Sequence, residues 1–319
     1  MKFPVFDLHC DTALALAGFY NYSKNPANLR KNNLHIDLTR ASTLSGYAQC
    51  FACFTTTLPE FPQNVSVPDV FERELTSVLR EIEDNGDLIR LAYSAKEIEE
   101  NRDLGIMSGI LTIEGPAGFE FDPELLENLY QIGFRITTLG WNEQNPLAGS
   151  CVTGGGLTEQ GREYVRQAQK VGMVIDVSHI SDAGFWDIMD ITQKPIIASH
   201  SNSRALCNVP RNITDEMFLA ICKTGGTVGV NMYRGFLGQY ATIDTVCDHI
   251  LHFLSVAGSD RHISLGSDFD GMDLLPNGIS GVQDYQKLAD RLLSRGLDEL
   301  SVHRIFWDNA LGVIDRCSI

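Results

Sequence analysis

Apolar runs alternate with amphipathic stretches along the whole chain. The runs cover residues 5–9, 47–55, 106–113, 134–141, 173–178, 195–199, 225–230 and 263–267. Each is nearly continuous in apolar residues, with no strict alternation, as expected of strands buried on both faces. The intervening stretches carry helical periodicity at about 69–85, 123–130, 158–170, from 181, at 215–223, at 245–257 and from 282 onward. Ser94 and Glu97 have the spacing of a capping box and open a further short helix. A loop with Pro59, Pro62 and Pro68 precedes the first of the long helices. Eight strands, each followed by a helix or helical loop, predict an α/β protein with a (β/α)8 TIM-like barrel. A doubly wound open sheet is the main rival, and the strand count favours the barrel. No internal repeat, low-complexity tract or linker divides the chain, so residues 1–319 read as a single catalytic barrel domain.

Metal-type side chains fall where these runs stop. His9 and Asp11 stand at the end of the first run, two residues apart and so on one face of an extended strand. Glu114 follows the third run, His179 the fifth, His200 the sixth and Asp268 the eighth. Each has an ordinary structural reading when taken alone. In a barrel, however, all of these strand ends open on the face where active sites sit. The donor set suits zinc or another borderline divalent ion. Glu114 lies between the two groups in strand order and can bridge them. His9, Asp11 and Glu114 would then hold one metal, and Glu114, His179 and His200 a second. Two such ions, about 3.5–4 Å apart, can hold a hydroxide between them and polarise a carbonyl. Asp268 is left for proton transfer; Asp270 reads as a turn residue beside Gly271. Asn231 and Tyr233 follow the seventh run and are expected to line the pocket. His249 and His252, three apart on a helix, are expected to form a solvated or interface face. Residues 142–157 lack periodicity, include Gly154, Gly155 and Gly156, and read as a functional loop.

Charge and cysteine usage narrow the partners. The formal net charge of −16 and a pI near 4.8 disfavour nucleic acid and anionic membrane surfaces. No apolar window reaches transmembrane length, and Met-Lys-Phe-Pro leads directly into the first strand without a targeting segment. A cytoplasmic location without a membrane anchor is therefore expected. The eight cysteines include one CxxC, Cys50 and Cys53, inside an apolar run, where buried free thiols are the expected state.

Six stretches together resemble one family over nearly the whole chain. They are Asp7-Leu-His-Cys-Asp-Thr12, Ile113-Glu-Gly115, Asp176-Val-Ser-His-Ile-Ser-Asp182, Ala198-Ser-His-Ser-Asn-Ser-Arg204, Asn208-Val-Pro-Arg-Asn212 and Leu265-Gly-Ser-Asp-Phe-Asp-Gly271. The family is that of the membrane (renal-type) dipeptidases, a metal-dependent branch of the amidohydrolase superfamily. The resemblance implies a zinc-dependent dipeptidase acting on small dipeptides, including those with a C-terminal D-residue. Its two zinc ions would be held by His9, Asp11, Glu114, His179 and His200, with Glu114 as the bridge. Asp268 would be the catalytic aspartate. Arg211 would bind the substrate carboxylate, a task suited to a bidentate guanidinium. Trp141 falls where the family often carries a substrate-contacting histidine; it can stack on a substrate or donate one hydrogen bond, but cannot ligate a metal. Relatives also imply a homodimer. Competing readings are an amidohydrolase acting on N-acyl amino acids or lactams, and a metal-binding barrel with weakened catalysis.

Overall fold

A computed structural model describes residues 2–19, 27–58 and 65–318; Pro59 and Pro62 of the proline-rich loop lie outside them. The strands are β1 (Val5–Cys10), β2 (Tyr47–Phe54), β3 (Ile89–Leu91), β4 (Met107–Glu114), β5 (Phe134–Thr138), β6 (Val174–Asp176), β7 (Ile196–Ala198), β8 (Thr227–Val230) and β9 (Ile263–Leu265). All pair in parallel. The order β1-β2-β4-β5-β6-β7-β8-β9 closes on itself through the β1–β9 and β2–β4 pairings. The fold is thus a closed eight-stranded (β/α)8 barrel. Every residue of the eight ring strands is buried, which is why their sequences are continuously apolar.

β3 is a ninth strand that the hydrophobic pattern does not predict. It lies outside the ring and pairs only with Met107, Ser108 and Gly109, before β5 joins β4 at Leu111. Of its three residues only Ile89 is buried, so it leaves no apolar run to read. The predicted strand over 134–141 also stops early, at Thr138, where the chain turns into the loop that carries Trp141. At Ser94 the hydroxyl accepts from the Glu97 N–H, but the Glu97 carboxylate takes the N–H of Tyr93, so the reciprocal bond lies one residue outside a capping box.

Two packed layers orient the barrel. Phe6, Leu8, Ala48, Cys50, Ile110, Ile136, Val174 and Ile197 point inward and pack on the helix Asn309–Cys317, which closes the floor. The outward side chains, Cys53 among them, pack under the surrounding helices. Cys50 and Cys53 therefore sit in different layers and share no ligand, and all eight cysteines are free thiols. With the floor sealed by apolar side chains, the open end is the one where the strands finish.

Candidate active site

Between Asp7 and Cys10 the β1–β2 register slips. Leu8 belongs to the inner layer and Cys10 to the outer, so the usual alternation is broken there. This bulge turns His9 inward, directly above Leu8. Asp11 follows at the start of the helix Thr12–Leu16 and makes no side-chain capping bond, which leaves its carboxylate to the site. Glu114 ends β4. The next residue, Gly115, has φ +81°, and a Cβ there would lie 2.0 Å from the carbonyl oxygen of Thr55. Only glycine lets the chain turn so close to β2 and leave Glu114 aimed at the mouth.

Glu114 stands between two groups of donors. Its Oε2 lies 3.3 Å from His9 Nε2, which is 3.5 Å from Asp11 Oδ2. Its Oε1 lies 3.0 Å from His179 Nε2 and 3.6 Å from His200 Nε2. The imidazoles of His9 and His200 stack at 3.7 Å between centroids. His9, Asp11 and Glu114 form one cluster of possible metal-ligating atoms; Glu114, His179 and His200 form a second; His9, His200 and Asp268 form a third. These are the groupings expected from strand order, with Asp268 added at their edge.

The tautomers suit a metal. Asn142 Oδ1 accepts from His179 Nδ1 at 3.0 Å, so Nδ1 carries the proton and Nε2 the lone pair. Ser199 donates its hydroxyl to Asp176 and meets His200 Nδ1 at 2.7 Å, which fixes the same tautomer. Both free lone pairs point at Glu114. Buried His9 Nε2 has no hydrogen-bond partner among the described residues. Buried donors of this kind, converging on one carboxylate, fit divalent metals.

The electrostatics of the two sides differ. Burial opposes charge on His9, yet Glu114 and Asp11 raise its pKa well above the ordinary value. Burial, followed by the Arg211 charge, lowers His179 to about 4. Burial, then His9 and Arg211, holds His200 well below its usual range. For Glu114, burial is outweighed by the charge on His9 and by close contact with the three imidazoles, and its pKa falls well below normal.

Asp268 lies just beyond β9 with φ +62°, a left-handed conformation that is strained for a non-glycine residue; His179 has φ +68°. Burial raises the Asp268 pKa against the lowering influence of His9. Asn231 donates its amide to Asp268 Oδ2 at 2.9 Å. Asn231 also accepts from the Tyr233 N–H and is fully buried. It therefore does not line the pocket as expected: its polar atoms are engaged in holding Asp268. A Cβ on Gly271 would come within 2.0 Å of Asp11 Oδ2 and 2.6 Å of Asp268 Oδ1, so this glycine admits both carboxylates. Asp270 accepts from Thr12 Oγ1 at 2.6 Å and from the His35 N–H at 2.6 Å, and ties loops together beside the site.

A cavity of about 650 Å³ opens above the cluster, bounded by Asp11, Glu114, His179 and Asp268 below and by Trp141, Tyr233 and several apolar side chains around. Trp141 packs edge-on against Phe54 at 5.2 Å and lies 6.1 Å from the His179 ring. Arg211 is not on the cavity wall. Its Nη1 donates to Ser201 Oγ at 2.7 Å, its guanidinium lies 5.4 Å from the Phe236 ring centroid, and buried Nε and Nη2 lack partners among the described residues. His249 and His252 do not form a solvated pair: His249 is buried and accepts from the Ser203 N–H, and His252 pairs with Asp215 at 2.8 Å.

Several supporting residues escaped the strand-end reading. Asn142, Ser199 and Asp176 orient the histidines. Asp7 accepts from Ser267 Oγ at 2.5 Å and from the Ser267 N–H at 2.8 Å, and so fixes the strand end that carries Asp268. The available signal was a carboxylate inside an apolar strand, at Asp7 and at Asp176.

Fold and site together define a barrel of the metal-dependent hydrolase class. A family model described as membrane dipeptidase (Peptidase family M19) matches residues 1–318. A Klebsiella pneumoniae protein from the pqqA 5′ region is 34% identical over 77% of this chain and 95% of its own length. An uncharacterised dipeptidase of Schizosaccharomyces pombe is 36% identical over 65% of this chain, an alignment spanning about half (52%) of that protein. The crystal structure of a Rhodobacter sphaeroides metallopeptidase, liganded with a phosphinate mimic of L-Ala-D-Ala, superposes with a TM-score of 0.88. It is 25% identical, and the match covers 99% of this chain and 100% of that one. The chain belongs to the membrane dipeptidase family, and is a hydrolase acting on peptide bonds, of a metallopeptidase family that uses divalent metal. No described helix is long and apolar enough to cross a membrane.

Proposed function

We propose that the chain is a dizinc dipeptidase that cleaves small dipeptides, including those with a C-terminal D-residue. The reading is carried by Glu114, with one carboxylate oxygen against His9 and the other against His179 and His200. His9, Asp11 and Glu114 would hold one ion, and Glu114, His179 and His200 the other. When bound, divalent ions supply polarisation of the scissile carbonyl and acidification of the attacking water. Asp268, oriented by Asn231, takes the proton from that water and passes it to the nitrogen of the leaving amine. Arg211 receives the substrate carboxylate through Nε and Nη2, the two donors without a partner among the described residues. Tyr233 and Trp141 flank the bound dipeptide. The L-Ala-D-Ala mimic bound by the Rhodobacter protein supports acceptance of a D-residue at the C-terminal position.

Residues 1–319 act in this reading as one catalytic domain, supported by the single closed sheet. A cytoplasmic location is supported by eight unpaired cysteines. A homodimer is supported by the family resemblance alone.

The test is a hydrolysis panel of L,L- and L,D-dipeptides, N-acyl amino acids and lactones with added zinc, run beside metal analysis. Dipeptides are expected to be cleaved, with two metals per chain. Asp268→Asn should lower kcat by about 10²–10⁴-fold at unchanged metal content. A fully loaded protein that cleaves no dipeptide would overturn the reading, and loss of metal in Asp268→Asn would overturn the role given to Asp268.

A further inference from the structure

The closed strand order fixes which parts of the mouth face each other. From β7 to β2 there are four steps in either direction around the ring, so these strands lie on opposite sides. The loop after β7 carries Arg211. The opposite rim is mostly apolar: Leu14 and Phe19 follow β1, Phe54 ends β2 and Leu58 follows it, and Trp141 reaches Phe54 from the loop after β5, midway round the ring. All five line the cavity, and Trp141 is braced against Phe54. The Arg73 guanidinium lies 4.8 Å from the Phe19 ring centroid.

A dipeptide with its carboxylate toward Arg211 and its carbonyl above Glu114 must send its first residue to this opposite rim. Its side chain then meets aromatic and aliphatic carbon. We propose that Leu14, Phe19, Phe54, Leu58 and Trp141 form a pocket for a bulky apolar side chain on the N-terminal residue of the substrate, with Trp141 as its principal specificity determinant. The inference rests on the dipeptidase reading above and names the substrate class within it. Burial of a leucine- or phenylalanine-sized side chain there favours it over glycine by about 10–100-fold. A carboxylate side chain is disfavoured, because this mostly carbon wall offers too few donors, chiefly the Trp141 indole N–H, to replace its hydration, and Asp11, Glu114 and Asp268 at the cavity base repel it.

The test compares kcat/KM for Gly-, Leu-, Phe- and Asp-D-Ala on the metal-loaded chain. Leu and Phe should exceed Gly by at least tenfold, and Asp should be the poorest. In Trp141→Ala the Leu:Gly ratio should fall at least tenfold, mainly through KM, and Trp141→Phe should restore most of it. Equal rates for Gly and Leu, or a ratio unmoved by Trp141→Ala, would overturn the proposal. If no peptide is cleaved, the hydrolytic reading fails and the pocket is tested by calorimetric titration with the same uncleaved peptides. Leu-D-Ala binding at least tenfold tighter than Gly-D-Ala then upholds the pocket, and equal binding overturns it.

Discussion

On one side of Glu114, His9 and Asp11 stand on a single strand end, next to a bulge. On the other, His179 and His200 come from separate strands, and each ring is held at Nδ1 by a neighbour: Asn142 for the first, Ser199 backed by Asp176 for the second. The first side is rich in carboxylate and favours charge on His9; the second favours neutral imidazole. The contrast has a physical basis. A charged ring among carboxylates is drawn toward them, whereas a neutral ring must be oriented by directional hydrogen bonds. The two sides therefore reach the same readiness for metal by different means, and they should fail differently.

The largest expected effect comes from removing what the sides share. Glu114→Ala should lose both metals and all turnover, whereas His200→Ala should retain the metal on the His9 side; metal analysis after dialysis distinguishes them. Equal loss in both variants would make the cluster a single unit. A smaller effect should separate the supports. Ser199→Ala and Asn142→Ala should each weaken one of the two metal affinities by about 10–100-fold and leave the other nearly unchanged, as read by chelator competition. The smallest concerns protons. In chelator-stripped protein His9, with its raised pKa, keeps a proton at neutral pH, while His179 at about 4 has none to lose. Metal uptake on the His9 side should therefore release a proton and weaken as pH falls, and the His179 side should hold until the pH approaches about 4. Calorimetry in two buffers of different ionisation enthalpy, together with metal content at stepped pH, checks this. Simultaneous loss of both metals would break the contrast.

The ring strands were legible as apolar runs, and the candidate ligands because five of those runs end at charged or imidazole side chains. β3 was not legible, since a three-residue strand with one buried residue carries no run. Asn231 was located correctly after its strand but misjudged in role, because burial beneath Asp268 depends on β8 and β9 being neighbours. Asn142 sat unread in an aperiodic loop; its carboxamide meets His179 only once that loop folds over the mouth.

The order of strands, the residues that end them and the family to which they belong are written in the sequence. They follow from local periodicity and from motifs at strand ends. Three matters were decided by tertiary structure alone: the bulge that turns His9 above Leu8, the burial of Arg211 against Ser201 and Phe236, and the position of Trp141 against Phe54. Each depends on how a closed sheet brings remote strands and their loops together, or on a register slip between neighbours. Those are distances between remote parts of the chain, which a repeat of two or of 3.6 residues cannot encode.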